Sequence, residues 1–228
     1  LMQHYNKQKN SYNCLCNDET PVQDCIWHCN KQSIVSNNIQ DSYKLFGYSE
    51  EIVLWPKIKN NNKNIAIYCH YDKDNIIKDY VIQSLKTLIL LEYDIIFCTT
   101  SKKITNIDIP FKINYFENNP HCSAGNDIIM WNKILNSNKL NRYDWVLLIN
   151  DSILLPIHGI NSMKNTIEKY RISNDFWGLY LSNEKGRFKT NQIHLCSCFI
   201  EYNKHSILKV SKYFNSIIHK CNKTVDFI

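Results

Sequence analysis

Apolar residues along this chain fall into short unbroken runs separated by stretches with helical spacing, and the clearest run sits in YDWVLLINDSILLP, residues 143–156. Trp145 to Ile149 is wholly apolar, and Asn150, Asp151 and Ser152 follow at once. Such a run between polar residues reads as a strand buried on both faces, the state of a central strand in an α/β sheet. Similar strands are predicted over 65–70 (IAIYCH) and 94–99, a shorter one over 111–116, and a last one over 194–202 (HLCSCFIEY), where Cys and Ser allow close approach of a neighbour or ligand. Between them, Asn75–Leu91 spaces Ile77, Val81, Leu85, Leu88 and Leu91 as one face of a helix. Further helices are predicted over 127–135, 162–170 and 206–221, with a short apolar segment, DFWGLY, at 175–180. The alternation predicts an α/β fold: a mostly parallel central sheet with helices on both faces, its first two strands joined by a right-handed crossover.

The first sixty residues have a different texture. Gln32–Phe46 has helix-like spacing, a short strand ends at Pro56, and the polar string KIKNNNKN follows at 57–64. An amino-terminal appendage over 1–60 and an α/β domain over 61–228 are the expected units.

Parallel strands deliver their carboxyl ends to one rim, where open α/β sheets keep their ligand crevice. Three loops should meet there. The first is HYDKDN, with His70 and Tyr71 directed at the crevice to meet a base or sugar, and Asp74 or Asn75 able to cap the next helix. In the second, Gly125 gives the backbone unusual freedom and Asp127 starts a helix, either as its cap or as an acceptor for sugar or ribose hydroxyls. The third is Asn150, Asp151 and Ser152, whose carboxylate, amide and hydroxyl oxygens form a partial site for magnesium or manganese, with Asp151 the metal ligand. His194, at the entrance of the last strand, is a candidate base, hydrogen-bond donor or metal ligand.

Composition narrows the classes. A net charge of +6, spread along the chain, suits a nucleotide or polyanionic ligand without naming one. Gly-x-Gly-x-x-Gly, the phosphate-binding loop, HExxH and G-x-S-x-G are all missing, which argues against a dinucleotide oxidoreductase, an ordinary nucleoside triphosphatase and a serine hydrolase. Aromatic residues are plentiful but do not alternate with basic ones as on a nucleic-acid platform, so no nucleic-acid partner is expected. No apolar stretch reaches the roughly 20 residues that span a bilayer, and no leader is visible, although the ends suggest a piece of a longer protein. Six cysteines scattered through apolar positions suggest a reducing, cytoplasmic location. Cys14, Cys16, Cys25 and Cys29, with His28 beside them, leave zinc, disulfides and free thiols all open.

From Ile65 onward the chain carries HYDKDNIIKDYV, GNDIIMWNKIL, YDWVLLINDS with Pro156, DFWGLY and HLCSCFIEY, in that order. On these stretches it resembles the rhamnan-synthesis F family of bacterial polysaccharide glycosyltransferases. It departs from the family pattern at Asn126, Ile129, Cys196 and Cys198. The resemblance implies a glycosyltransferase A-like nucleotide-binding fold. It also implies transfer of a sugar, such as rhamnose or another deoxyhexose, from a nucleoside diphosphate donor to a glycan or glycoprotein acceptor. The divalent ion and diphosphate would then lie at Asn150, Asp151 and Ser152, with Asp151 the principal ligand, and Asp127 and His194 the candidates for taking the acceptor's proton. The alternative is a transferase-like domain that binds carbohydrate or acts as a scaffold without turnover.

Overall fold

The computed structural model describes residues 55–59, 61–119, 125–137, 140–182 and 194–225. The expected amino-terminal appendage, including its four cysteines and His28, lies almost wholly outside the described residues. Trp55 lies within them and packs edge-on against Phe111, with the Lys86 ammonium over its ring.

The elements in order are β1 (Asn64–His70), α1 (Asp79–Leu90), β2 (Tyr93–Thr99), β3 (Ile113–Tyr115), α2 (Asn126–Leu135), β4 (Trp145–Asn150), α3 (Ile160–Arg171), β5 (Phe176–Gly178), β6 (Leu181–Ser182), β7 (His194–Leu195), β8 (Phe199–Asn203) and α4 (Ser206–Val225). Six strands form one sheet in the order β3-β2-β1-β4-β8-β5, and β6 pairs with β7 in a separate two-stranded sheet. Strands β1 to β4 run parallel, as expected, and β1 and β2 are direct neighbours. β8 is antiparallel to both β4 and β5. The sheet is therefore mixed, not mostly parallel.

The single strand expected over 194–202 is two: β7 pairs with β6, the chain turns at 196–198, and only β8 joins the main sheet. The helix expected from Asn75 starts at Asp79, because Asn75 adopts a left-handed conformation (φ 60°) and residues 71–78 form a loop.

Side-chain alternation along β1 builds two cores. Ala66 and Tyr68 face Val81, Leu85 and Leu88 of α1, in a cluster that also takes in Met163 and Ile167 of α3. Ile65, Ile67 and Cys69 face the other way, with Met130, Trp131 and Ile134 of α2 and Ile207 and Phe214 of α4. Burial on both faces explains the unbroken apolar runs of β1 and β4. The strand order reverses direction between β1 and β4, which is where an open α/β sheet leaves its ligand crevice.

Candidate active site at the ends of the parallel strands

In register, His70 pairs with Thr99 and Cys69 with Asn150, so β1, β2 and β4 end level with one another. Asp151, the first residue past β4, is tied once to β1 and once to the loop that follows it. Its amide donates to the Cys69 carbonyl at 3.1 Å, and its Oδ2 accepts the Tyr71 amide at 2.9 Å. Burial pushes its carboxyl up to about 6. The Tyr71 amide works against that rise, while the charges of Asp127 and Asp72 add to it.

Asn150 connects this group to α2. Its Nδ2 donates to Asp127 Oδ2 at 2.8 Å, and its Oδ1 accepts the Ser152 amide at 3.1 Å. Asp127 is not the cap of α2; that position belongs to Gly125, at φ 84°, and Asp127 is the second residue of the helix. Burial raises the Asp127 carboxyl, and the Asn150 hydrogen bond offsets part of the rise. Among the described residues neither Asp127 nor Asp151 has a basic partner within ion-pair distance. Two partly desolvated carboxylates near each other favour whatever neutralises them, a proton or a cation. Among the described residues, no three His, Cys, Asp or Glu side chains gather as a metal-binding group. A hard cation here would draw on Asp151, and the rest of its oxygens would come from water and ligand.

The His70 and Tyr71 side chains divide. Tyr71 stands out at the rim, 57% exposed, while His70, expected to face the crevice, is 2% exposed with its Nδ1 3.1 Å from Thr99 Oγ1. Burial lowers the imidazole to about 4, so it is neutral near pH 7. His194 opens β7, where its backbone is paired with Ser182 in the small sheet. Ser152 is exposed beside Asp151, and the Cys198 carbonyl accepts the Asn150 amide at 3.3 Å.

Sequence reasoning missed three residues here. Asp72, 7% exposed, accepts the Asp74 amide at 2.8 Å and pairs with Lys78 at 3.1 Å. Burial alone would raise its carboxyl, but Lys78 and the loop amides outweigh that and hold it below its ordinary value. It also exchanges two bonds with Ser101, whose Oγ accepts the Asp72 amide and donates to the Asp72 carbonyl. The run D-K-D-N, with acid and amide side chains able to bond amides two residues on, was the available signal. Tyr80, in the first turn of α1, has its phenol pushed up to about 12 by burial, with Asp151 and Asp72 adding. Tyr68 is wholly buried behind Asp151, and burial, then the Asp151 charge, raises its phenol too. Its hydroxyl makes no well-formed hydrogen bond among the described residues, although Ser84 lies near enough to favour its ionised form. Nothing in the sequence distinguished these tyrosines from core.

Residues 121–228 match the family described as rhamnan synthesis protein F. The rhamnan synthesis protein F match includes Asp127, Asn150, Asp151 and four of the five stretches that carry the resemblance, while HYDKDNIIKDYV lies ahead of it. No curated protein and no solved structure matches the chain.

Proposed function

We propose that this protein is a polysaccharide-synthesis enzyme that transfers a sugar from a nucleoside diphosphate donor to a glycan acceptor. The observation that carries the reading is the joined pair at the strand ends, with Asp151 held by the Tyr71 amide and Asp127 held by Asn150. The likeness of residues 121–228 to rhamnan synthesis protein F supports the polysaccharide side. A glycosyltransferase A-like arrangement is supported by the four parallel strands ordered 3-2-1-4 with an antiparallel strand beyond them.

In this reading Asp151 and the Ser152 hydroxyl face the donor's diphosphate, and Tyr71 offers an exposed ring to the base or sugar. The carboxylates fit manganese or magnesium, because they carry negative charge that no described side chain neutralises; such an ion supplies charge compensation for the departing diphosphate. In the same reading Asp127, its carboxyl raised by burial, takes the acceptor hydroxyl's proton.

The test is release of nucleoside diphosphate and labelling of glycan, measured across several deoxyhexose and hexose donors with and without manganese. Metal-dependent transfer from at least one donor supports the reading. Binding of donor or glycan without transfer from any of them would favour the non-catalytic carbohydrate-binding domain instead.

A further inference from the structure

Helix α4 has two unlike sides. Inward, Ile207 and Phe214 pack on the sheet, Phe214 stacks on Trp131 of α2, Ser211 donates to Asn136, and Asn215 Oδ1 accepts from Asn132. Outward, Lys209, Lys212 and His219 are exposed, with Leu208 and Tyr213 standing at the two edges of that stripe, 63% and 64% exposed. From Lys204 to Val225 the sequence holds five lysines and two histidines and no Asp or Glu. At 20 residues the helix is about 30 Å long. None of the described helices is apolar and long enough to cross a membrane.

We propose that the outward face of α4 docks the protein on an anionic lipid surface. Several lysines presented together near a surface of negative lipid headgroups add attraction with each residue, and the effect fades within a Debye length. Exposed Leu208 and Tyr213 decide between polyanions. An aliphatic side chain among lysines gains from partial insertion at a headgroup boundary, where tyrosine also settles, and gains nothing from a sugar-phosphate backbone. A helix exterior is also convex, so an extended flat surface meets the whole stripe.

The topology sets the orientation. α4 leaves β8 at the base of the sheet, where the Lys204 amide bonds the Asp144 carbonyl, and its Ser211 and Asn215 meet α2 in reverse order, at Asn136 and then Asn132. Since α2 begins at the rim beside Asp127, α4 climbs toward that rim. Docked on this side, the protein holds its crevice beside the lipid surface.

Flotation of the whole chain with vesicles tests this: phosphatidylcholine alone against phosphatidylcholine with phosphatidylserine, each at low and high salt. Binding to the anionic vesicles only, weakened by salt, is expected. Each lysine should contribute about fivefold, so the Lys209→Glu, Lys212→Glu double variant should lose at least about 25-fold. Tyr213→Ala should weaken vesicle binding while leaving salt sensitivity in place. All three positions are exposed, and unchanged circular dichroism and Tm would confirm folding. Equal binding to neutral vesicles, no effect of the variants, or binding to a nucleic-acid duplex in preference to anionic vesicles would overturn the proposal.

Discussion

Asp151 sits at about 6 where an ordinary aspartate sits at 3.8, with burial the leading cause. Between those values the folded protein holds a proton that the unfolded chain has released, so stability is fully present below pH 3.8 and falls as pH rises through about 6, where the buried charge opposes folding. The displacement corresponds to at most roughly 3 kcal/mol. Asp151→Asn removes the charge and keeps an oxygen for the Tyr71 amide. In urea denaturation it should therefore stabilise the ligand-free protein at pH 8 by about 1–3 kcal/mol, with little change near pH 4. A loss of stability at pH 8 would contradict the electrostatic reading of the site. His70 titrates in the opposite sense. Lowered by burial from 6.5 to about 4, it contributes stability that is fully present above pH 6.5 and lost as pH falls toward 4. Imidazole NMR should show the His70 ring neutral down to about pH 5; a midpoint near 6.5 would mean that it is solvated. The sequence placed His70 at a strand end, but could not show that Thr99 on the neighbouring strand closes over it.

Two elements are fixed by groups that the hydrophobic pattern does not reveal. Glu201, in the middle of β8, is fully buried and accepts from Tyr93, from Trp177 and twice from Arg171 at the end of α3. This joins α3, β2, β5 and β8 through one carboxylate. Arg171→Met should cost about 3–5 kcal/mol in chemical denaturation by leaving a buried charge poorly paired, and Arg171→Met with Glu201→Met should cost less than that single change. A glutamate in HLCSCFIEY reads as solvent-facing, since alternation alone says nothing of what lies beyond the strand. Gly178, the glycine of DFWGLY, has a different cause: an added Cβ would lie 2.9 Å from the Phe199 carbonyl oxygen, so the close approach of β5 to β8 requires its absence. At Gly125 an added Cβ meets nothing within 4 Å, and the requirement is the left-handed φ alone. Gly125→Ala should destabilise by about 1–2 kcal/mol and displace Asp127, measured as reduced Tm with weaker donor binding. The early start predicted for α1 has a similar explanation: Ile76 and Ile77 continue the apolar spacing, but Asp72 captures the Asp74 amide and turns the chain.

For the whole molecule, strands buried on both faces were legible because nothing polar interrupts them, and their parallel order followed from the helices between. Where the chain stops alternating strand with helix, at β5 to β8, pattern no longer determined direction, and the antiparallel β8 and the separate β6–β7 pair were missed. The rim was legible to the extent that strand ends and the turn into α2 name it: Tyr71, Asp127, Asn150, Asp151 and Ser152 converge there, whereas Asp72 and Tyr80 come from loop and helix geometry and Tyr68, inside β1, reads as core. All of the functional reading depends on Asp151 serving a ligand rather than its own loop. Calorimetric titration of the wild-type protein and Asp151→Asn with a nucleoside diphosphate, in the presence and absence of manganese, tests that most directly. Metal-dependent binding that weakens at least 100-fold in the variant, which folds as well as the parent, is the predicted result; equal affinity in the two proteins, or binding indifferent to manganese, would contradict it.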